Sequence, residues 1–331
     1  MRFHALLPVR DEADIIAQCL SHLLTWSDAV YVFDTGSVDK TWEIVQDFSA
    51  RDQRVVPLRK DAVFFSENRL RGWMFHHARP HMRDGDWFLR VDADEFHHVP
   101  PPEFIEARMR RSETIAYHQY YDFQLTESEV QTWAAGIETL ADRGRPIEDR
   151  RRWFKASAYS EPRLCRYRPT MAWPPTVSFP FNAGFVAKYR LPIRHYPHRD
   201  PIQLIRRCRL RAVMMADREN SGNWSHPEQH HWKEREWTRF VTRDNDPDLR
   251  YWTKGTELPD PVFTSHLKSP QERLLQRILH STMLSLLDSR RPKWPSKEYP
   301  QQIPDAIVEQ LSIQLGELDC PERRARLHVR G

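Results

Sequence analysis

Short apolar runs alternate with helix-like stretches over the first hundred residues. Phe3–Val9 is almost continuously apolar and reads as a buried strand. Over residues 12–24, Ile15, Ile16, Cys19, Leu20, Leu23 and Leu24 recur at helical spacing and predict an amphipathic helix. The run Ala29-Val30-Tyr31-Val32-Phe33 ends at Asp34, the pattern of a strand buried on both faces. Residues 38–48 predict a second helix with Asp39 as N-cap, 54–58 a weaker strand, 66–78 a third helix and 87–91 another central strand. This β-α-β-α-β-α-β order predicts a parallel sheet covered by helices on both faces.

After Pro100-Pro101-Pro102 the pattern changes. A short helix over 103–110 is followed by strand-like stretches at 115–125 and 163–167, with a polar, Arg-rich insertion at 128–158 between them. The proline-rich run around Trp173 and Phe181 reads as irregular chain. From Asp200 onward the pattern is helical. Asp200-Pro201 with Gln203 supplies an N-cap, an N1 proline and an N3 glutamine, and Ser269-Pro270 with Glu272 repeats the signal.

Composition narrows the class. The 331 residues are 40% apolar and 29% charged, enough for a sizeable core, which excludes a disordered or fibrous chain. A net charge of +4 falls short of what sequence-blind nucleic-acid binding requires, so no nucleic-acid partner is expected. Of the 50 basic residues 41 are Arg. The four cysteines lie far apart with no CxxC spacing, which argues against a disulfide framework and a Cys-based zinc site. With no apolar run of membrane-spanning length and a first strand too short for a signal peptide, the expectation is a cytoplasmic protein. Its basic helices leave room for peripheral contact with the inner face of the membrane.

The sharpest local feature is Val91-Asp92-Ala93-Asp94-Glu95, where two carboxylates one residue apart leave a buried strand. Ligands of open α/β sheets bind at the carboxyl ends of the strands, and paired carboxylates suit Mg²⁺ or Mn²⁺ together with phosphate oxygens. The rival reading is a solvated acidic turn. A second feature, Asp34-Thr35-Gly36-Ser37 with Asp39 and Thr41, also follows a buried strand and leaves Asp34 at its tip. Neither GxGxxG nor a GxxxxGK[ST] loop is present. A bound nucleotide would therefore need a metal or basic side chains to neutralise its phosphates.

In order along the chain, these segments resemble those of the family 2 glycosyltransferases, which adopt the GT-A fold. Leu7-Pro8-Val9-Arg10-Asp11-Glu12 is similar to the family's opening strand and nucleotide-contacting loop, although the family often has Asn where Arg10-Asp11 stands. Asp34 to Thr41 is similar to its D-x-G-S-x-D-x-T signature, and Asp92-Ala93-Asp94 to its D-x-D motif. The resemblance covers residues 1–110 well and continues loosely to about 200. It implies an α/β, GT-A type fold with a mostly parallel nucleotide-binding sheet flanked by helices. Residues 1–199 would form the catalytic domain, with 1–110 its nucleotide-binding half and 111–199 its acceptor half, and 200–331 a mainly helical extension.

The resemblance further implies transfer of a sugar from a nucleoside-diphosphate sugar, with UDP favoured, to a carbohydrate or other hydroxyl or amine acceptor. Mn²⁺ or Mg²⁺ would assist, and the anomeric configuration would invert. Pro8, Val9 and Glu12 would line the nucleotide pocket and Asp34 would contact the base. Asp92 would lie near ribose and metal, Asp94 would be the more direct metal ligand, and His195, ahead of His198, would complete the metal–diphosphate site. Asn68 and Arg69 are candidates to face the nucleotide; the rival reading is that Arg69 and Arg71 are simply solvated helix residues. For the base that deprotonates the acceptor, Glu161, Asp122 and Glu95 all remain open. Trp133, Trp153, Trp173, Phe179 and Phe181 are either acceptor-facing rings or core. Two alternatives stand beside this reading: a sugar-phosphate nucleotidyltransferase, whose usual Gly-rich basic loop residues 7–14 lack, and a non-catalytic binding protein.

Overall fold

The computed structural model describes residues 1–61, 67–173, 179–216 and 234–259, so the helix predicted after Ser269 lies outside the described residues. Four strands, β1 (Phe3–Val9), β2 (Ala29–Asp34), β3 (Val55–Lys60) and β4 (Trp87–Arg90), lie parallel in the order β3-β2-β1-β4. They are joined by α1 (Ile16–Leu23), α2 (Thr41–Arg51) and α3 (Glu67–Ala78). The strand pleat separates two cores. Ala5, Leu7, Val30, Val32 and Leu89 face the α1 and α2 side with Ile16, Leu20 and Val45, whereas Leu6, Tyr31, Phe33 and Phe88 face Met74 and Phe75 of α3. Burying each of the Val, Leu, Ile, Phe and Met side chains among them contributes about 1.5–3 kcal/mol, which is why these runs fold as central strands.

Both early helices start later than their apolar spacing predicts, for one physical reason. Residues 12–15 form a turn in which the N–H groups of Ile15 and Ile16 both donate to the Glu12 carbonyl, so α1 begins at Ile16. Before α2, Val38 N–H donates to Asp11 Oδ1 (2.8 Å) and Asp39 Oδ1 accepts from Thr41 N–H (2.9 Å). The first-turn N–H groups of a helix have no partner within it, and here side chains of the facing loop satisfy those donors while the chain is still outside the helix.

The remaining elements are β5 (Glu95–His97), α4 (Pro101–Arg108), β6 (Glu113–Phe123), α5 (Glu127–Ala134), α6 (Ile147–Arg150), β7 (Trp153–Ala156), β8 (Pro162–Arg166), β9 (Phe185–Val186), β10 (Leu191–His195), α7 (Pro201–Ala216) and β11 (Arg250–Tyr251). α4 takes Pro101 and Pro102 into its first turn, where a missing N–H costs nothing. β8 runs antiparallel between β4 and β6. The 11-residue β6 belongs to two sheets. Its first half pairs with β8 and β9, its register breaks at Ala116/Tyr117, and its second half pairs with β10 in parallel and β7 in antiparallel. β5 borders β10, and β11 borders β7.

Two consequences follow. The carboxyl ends of β1, β2, β4, β6 and β10 open on one edge, and antiparallel β8 brings its first residues to the same edge. This is the α/β, helix-flanked architecture that the strand pattern predicts, parallel over β1–β4 and mixed from β8 onward.

Beyond residue 200, α7 is helical as expected and is capped as predicted, Asp200 Oδ1 accepting from Gln203 N–H (2.8 Å). Trp252 and Leu258 join the main core. Three arginines of the 128–158 insertion, Arg143, Arg150 and Arg151, turn inward, whereas Arg145 stays exposed. Arg143 makes a bidentate contact to Asp200 (2.9 and 2.8 Å), and buried Arg150 and Arg151 hold Glu138. Trp173 is wholly buried against Phe75 and Phe88, and is core rather than an acceptor-facing ring.

Candidate active site

The loop after β1 is strapped to the loop after β2. Asp11 N–H donates to Ser37 Oγ (2.9 Å), Glu12 N–H to Thr41 Oγ1 (2.8 Å) and Ala13 N–H to Asp39 Oδ2 (3.1 Å). Asp11 sits at φ 54 and Gly36 at φ 94. Asp and Asn are the non-glycine residues that reach this left-handed region most readily, which suits Asp11 to its place. Pro8 and Val9 are buried within β1, and the Val9 carbonyl accepts from Thr35 N–H (2.9 Å) and Thr35 Oγ1 (3.1 Å). They therefore form the floor beneath the loops.

Asp34 is fully buried at the tip of β2. Its Oδ1 accepts from the N–H groups of Gly36 (2.9 Å) and Ser37 (2.6 Å), whereas its buried Oδ2 has no partner among the described residues. Burial raises this carboxyl above its ordinary range against the pull of those bonds. A buried acceptor oxygen with an open valence is costly unless a donor arrives.

The three acids after β4 diverge. Asp92 is clamped, with Oδ1 accepting from Arg71 Nη2 (2.9 Å) and Oδ2 from Arg163 Nη2 (3.1 Å). Asp94 Oδ2 faces three cationic groups: Arg207 Nη1 at 3.2 Å, His195 Nε2 at 3.6 Å and Arg199 Nη1 at 3.8 Å. Burial works against ionising Asp94, yet His195 first, and then Arg207 and Arg199, holds its carboxyl well below the usual range. Glu95 is fully buried. Its Oε1 accepts from Arg163 Nη2 (2.7 Å) and from the Tyr120 hydroxyl.

His195 ends β10 directly opposite Asp122 of β6. Its Nδ1 lies 2.6 Å from Asp122 Oδ1, its ring stacks on Tyr120 with centroids 4.6 Å apart, and its Nε2 is turned to Asp94. Burial would lower the imidazole, but Asp94 and Asp122 together push it up to about 10. Asp122 and His195 also line a cavity of about 600 Å³. Glu161 lies elsewhere on the edge, bound by Arg163 (3.0 Å) and Arg90 (3.3 Å) and by the Tyr159 hydroxyl (3.0 Å). Despite its burial these arginines hold it well below the usual carboxylate range. Glu12 points to Arg199 Nη2 (2.5 Å). Burial lowers His198 well below the ordinary imidazole range, and its ring packs on Phe240. The side chains of Asn68 and Arg69 lie outside the described residues.

The edge thus gathers Asp34, Asp92, Asp94, His195 and Asp122, and adds Arg71, Arg163, Arg199, Arg207 and Tyr120, which sequence reasoning did not select. Arg207 alone left a signal, as one of two arginines four apart on a helix face. Buried Arg71 and Arg163 look in sequence like any solvated arginine.

For a divalent ion, Asp94 Oδ2 and His195 Nε2 are the fitting donors. One hard oxygen and one imidazole, completed by phosphate oxygens and water, suit Mn²⁺ or Mg²⁺. Asp122 on Nδ1 is the outer carboxylate that typically orients a metal-binding histidine. Both oxygens of Asp92 are taken up by guanidinium groups, so it fits as the clamp on Arg71 and Arg163. Among the described residues no three His, Cys, Asp or Glu side chains form a complete cage.

Residues 5–162 match the family model described as Glycosyl transferase family 2. No curated protein matches the chain. Among solved structures, a mannosyltransferase from Pyrobaculum calidifontis in complex with GDP-Man and Mn²⁺ is similar at 11% identity, over 71% of this chain and 69% of that one, with a TM-score of 0.36. A glucosyl-3-phosphoglycerate synthase from M. tuberculosis is similar at 13% identity, over 76% and 87%, with a TM-score of 0.26.

Proposed function

From the premise that residues 5–162 belong to glycosyl transferase family 2 and the protein is a glycosyltransferase, we propose that it moves a sugar from a nucleoside-diphosphate sugar to an acceptor hydroxyl or amine with inversion, assisted by Mn²⁺ or Mg²⁺. The observation that carries this reading is the alignment of Asp94, His195 and Asp122 on the edge where Asp34 also ends. Asp34 Oδ2 offers the open acceptor for a base N–H. Asp94 and His195 would hold the ion, which when bound supplies a Lewis acid for charge developing on the diphosphate. Arg207, beside Asp94, adds positive charge at the same place.

Asp122 is the favoured base. Glu161 is tied to two guanidinium groups and Glu95 is sealed beneath Tyr120 and Arg163, whereas Asp122 lines the cavity with only Oδ1 engaged. The acceptor O–H or N–H gives its proton to Asp122 as the acceptor atom bonds to the anomeric carbon. The bond from that carbon to the diphosphate oxygen breaks on the opposite face, and the diphosphate leaves with the electron pair. His195 keeps the Asp122 carboxylate in position. The nucleotidyltransferase and non-catalytic alternatives have no supporting observation beside the family match.

Calorimetric titration with UDP and GDP, each with and without Mn²⁺, tests the reading. Metal-dependent binding is expected of one of them, and Asp94→Ala should remove the metal dependence. Metal-independent binding of equal strength in both proteins would refute the metal assignment, and no binding of either nucleotide would refute the donor class.

A further inference from the structure

We propose that the cavity beside Asp122 is the acceptor site and that it selects an acceptor carrying an anionic group, a phosphate or a carboxylate. This inference rests on the reading of Asp122 as base. The cavity runs from Asp122 and His195 to Lys155, Arg239 and Arg243. Lys155 on β7 is the cross-strand partner of Asp122 on β6, so a cationic side chain stands beside the reacting position. Its ammonium contacts Asp246 Oδ2 (2.6 Å) on the opposite wall. Arg239 and Arg243 are exposed, and Arg243 makes no ion pair among the described residues.

The segment that carries these arginines is fixed to the end of β6. Thr242 N–H donates to the Leu125 carbonyl (2.9 Å), Glu127 N–H donates to the Thr242 carbonyl (3.0 Å), and Thr242 Oγ1 donates to Gln124 Oε1 (3.0 Å). Among the described residues, Lys155 and Arg243 therefore share one carboxylate of the lining, Asp246, once Asp122 is matched by His195. Among the described residues Phe240 is the one Phe, Tyr or Trp of the lining, and flat aromatic faces are what neutral sugars stack on. An anionic group that displaces Asp246 from Lys155 and reaches Arg243 would gain charge-assisted bonds and leave the neighbouring hydroxyl of the same molecule at Asp122.

The test uses the full chain saturated with Mn²⁺ and whichever of UDP or GDP it binds, so that the diphosphate site is filled. Glucose 6-phosphate, glucuronate and glucose are then titrated by calorimetry at fixed ionic strength. Both anionic sugars should bind about tenfold or more tighter than glucose, and Lys155→Gln and Arg243→Gln should each weaken them several-fold with nucleotide binding unchanged. The double variant should abolish the preference, and Arg206→Gln on exposed α7 surface should not. A preference for phosphate over carboxylate would identify the group. Equal binding of glucose, a preference that survives the double variant, or no binding of any of the three overturns the proposal. Failure of the nucleotide to bind in the first place would instead count against the donor reading.

Discussion

The partly buried His22, set against buried His97, makes the fold acid-sensitive over a definable window. His22 Nε2 accepts the backbone N–H of His97 (2.9 Å), so that nitrogen cannot carry a proton in the folded state. Burial, reinforced by the nearby Arg194, lowers His22 from 6.5 to about 4. The unfolded chain therefore binds a proton near pH 6.5 that the native chain refuses until about pH 4. Stability rises with pH through this interval and is lost as pH falls through it. At about 1.36 kcal/mol per unit, linkage gives a loss of about 0.8 kcal/mol at pH 6, about 2 at pH 5 and about 3 at pH 4 from this group alone. His22→Gln keeps an acceptor for the His97 N–H and cannot charge. Urea unfolding of both proteins at pH 8, 6 and 5 should show the variant's stability gaining on the wild type by about 2 kcal/mol between pH 8 and pH 5. A gain of less than about 0.5 kcal/mol would mean that His22 protonates in place, and the argument from the accepted N–H would fail.

Further expectations concern the edge of the sheet. Asp122→Asn should lower kcat by about 10²–10⁴-fold with donor KM little changed, whereas Glu161→Gln should lower kcat far less; equal losses in steady-state assays would remove Asp122 from the role of base. Arg163→Met leaves Asp92, Glu95 and Glu161 without their shared guanidinium, and removing one partner of a buried ionic network costs about 3–5 kcal/mol. A loss under about 1 kcal/mol in denaturant unfolding would show that the network is not needed for stability. Gly184→Ala should also destabilise, because the residue sits at φ +98 and a Cβ would lie 2.1 Å from Thr114 Oγ1. An unchanged melting temperature would show that this turn relaxes freely.

The central strands were legible because burial on both faces leaves an unbroken apolar run, and β1, β2 and β4 fall where those runs do. Helix starts were not, because the donors of residues 11–13 and 38 are claimed by side chains from the other loop, some 26 positions away. The carboxylates of the site could be read because no packing argument explains acids at the tips of buried strands. Their partners were hidden. Arg71, Arg163 and Arg199 are buried cations, and a guanidinium matched by a carboxylate inside leaves the same letter in the sequence as one in water. Arg90, a charge at the end of β4 between apolar Leu89 and Val91, was the exception that could have been noticed. This inward pairing accounts for much of the excess of arginine at near-zero net charge: Arg71, Arg90, Arg150, Arg151, Arg163 and Arg199 each meet a carboxylate in the interior.

The pairing of His195 with Asp122 is the least local feature of all. Periodicity placed each near a strand end and gave no reason to join them across 73 positions. What joins them is the parallel register of β10 on the second half of β6, which sets Leu191 opposite His118 and carries that match forward to His195 and Asp122. Side chains alternate along a strand, so a slip of one residue would turn His195 to the other face, away from both Asp122 and Asp94. The break in β6 at Ala116/Tyr117 lies within its ladder with β8, and from His118 onward the strand pairs with β10. That parallel ladder sets the register, and with it the position of Asp122 beside His195.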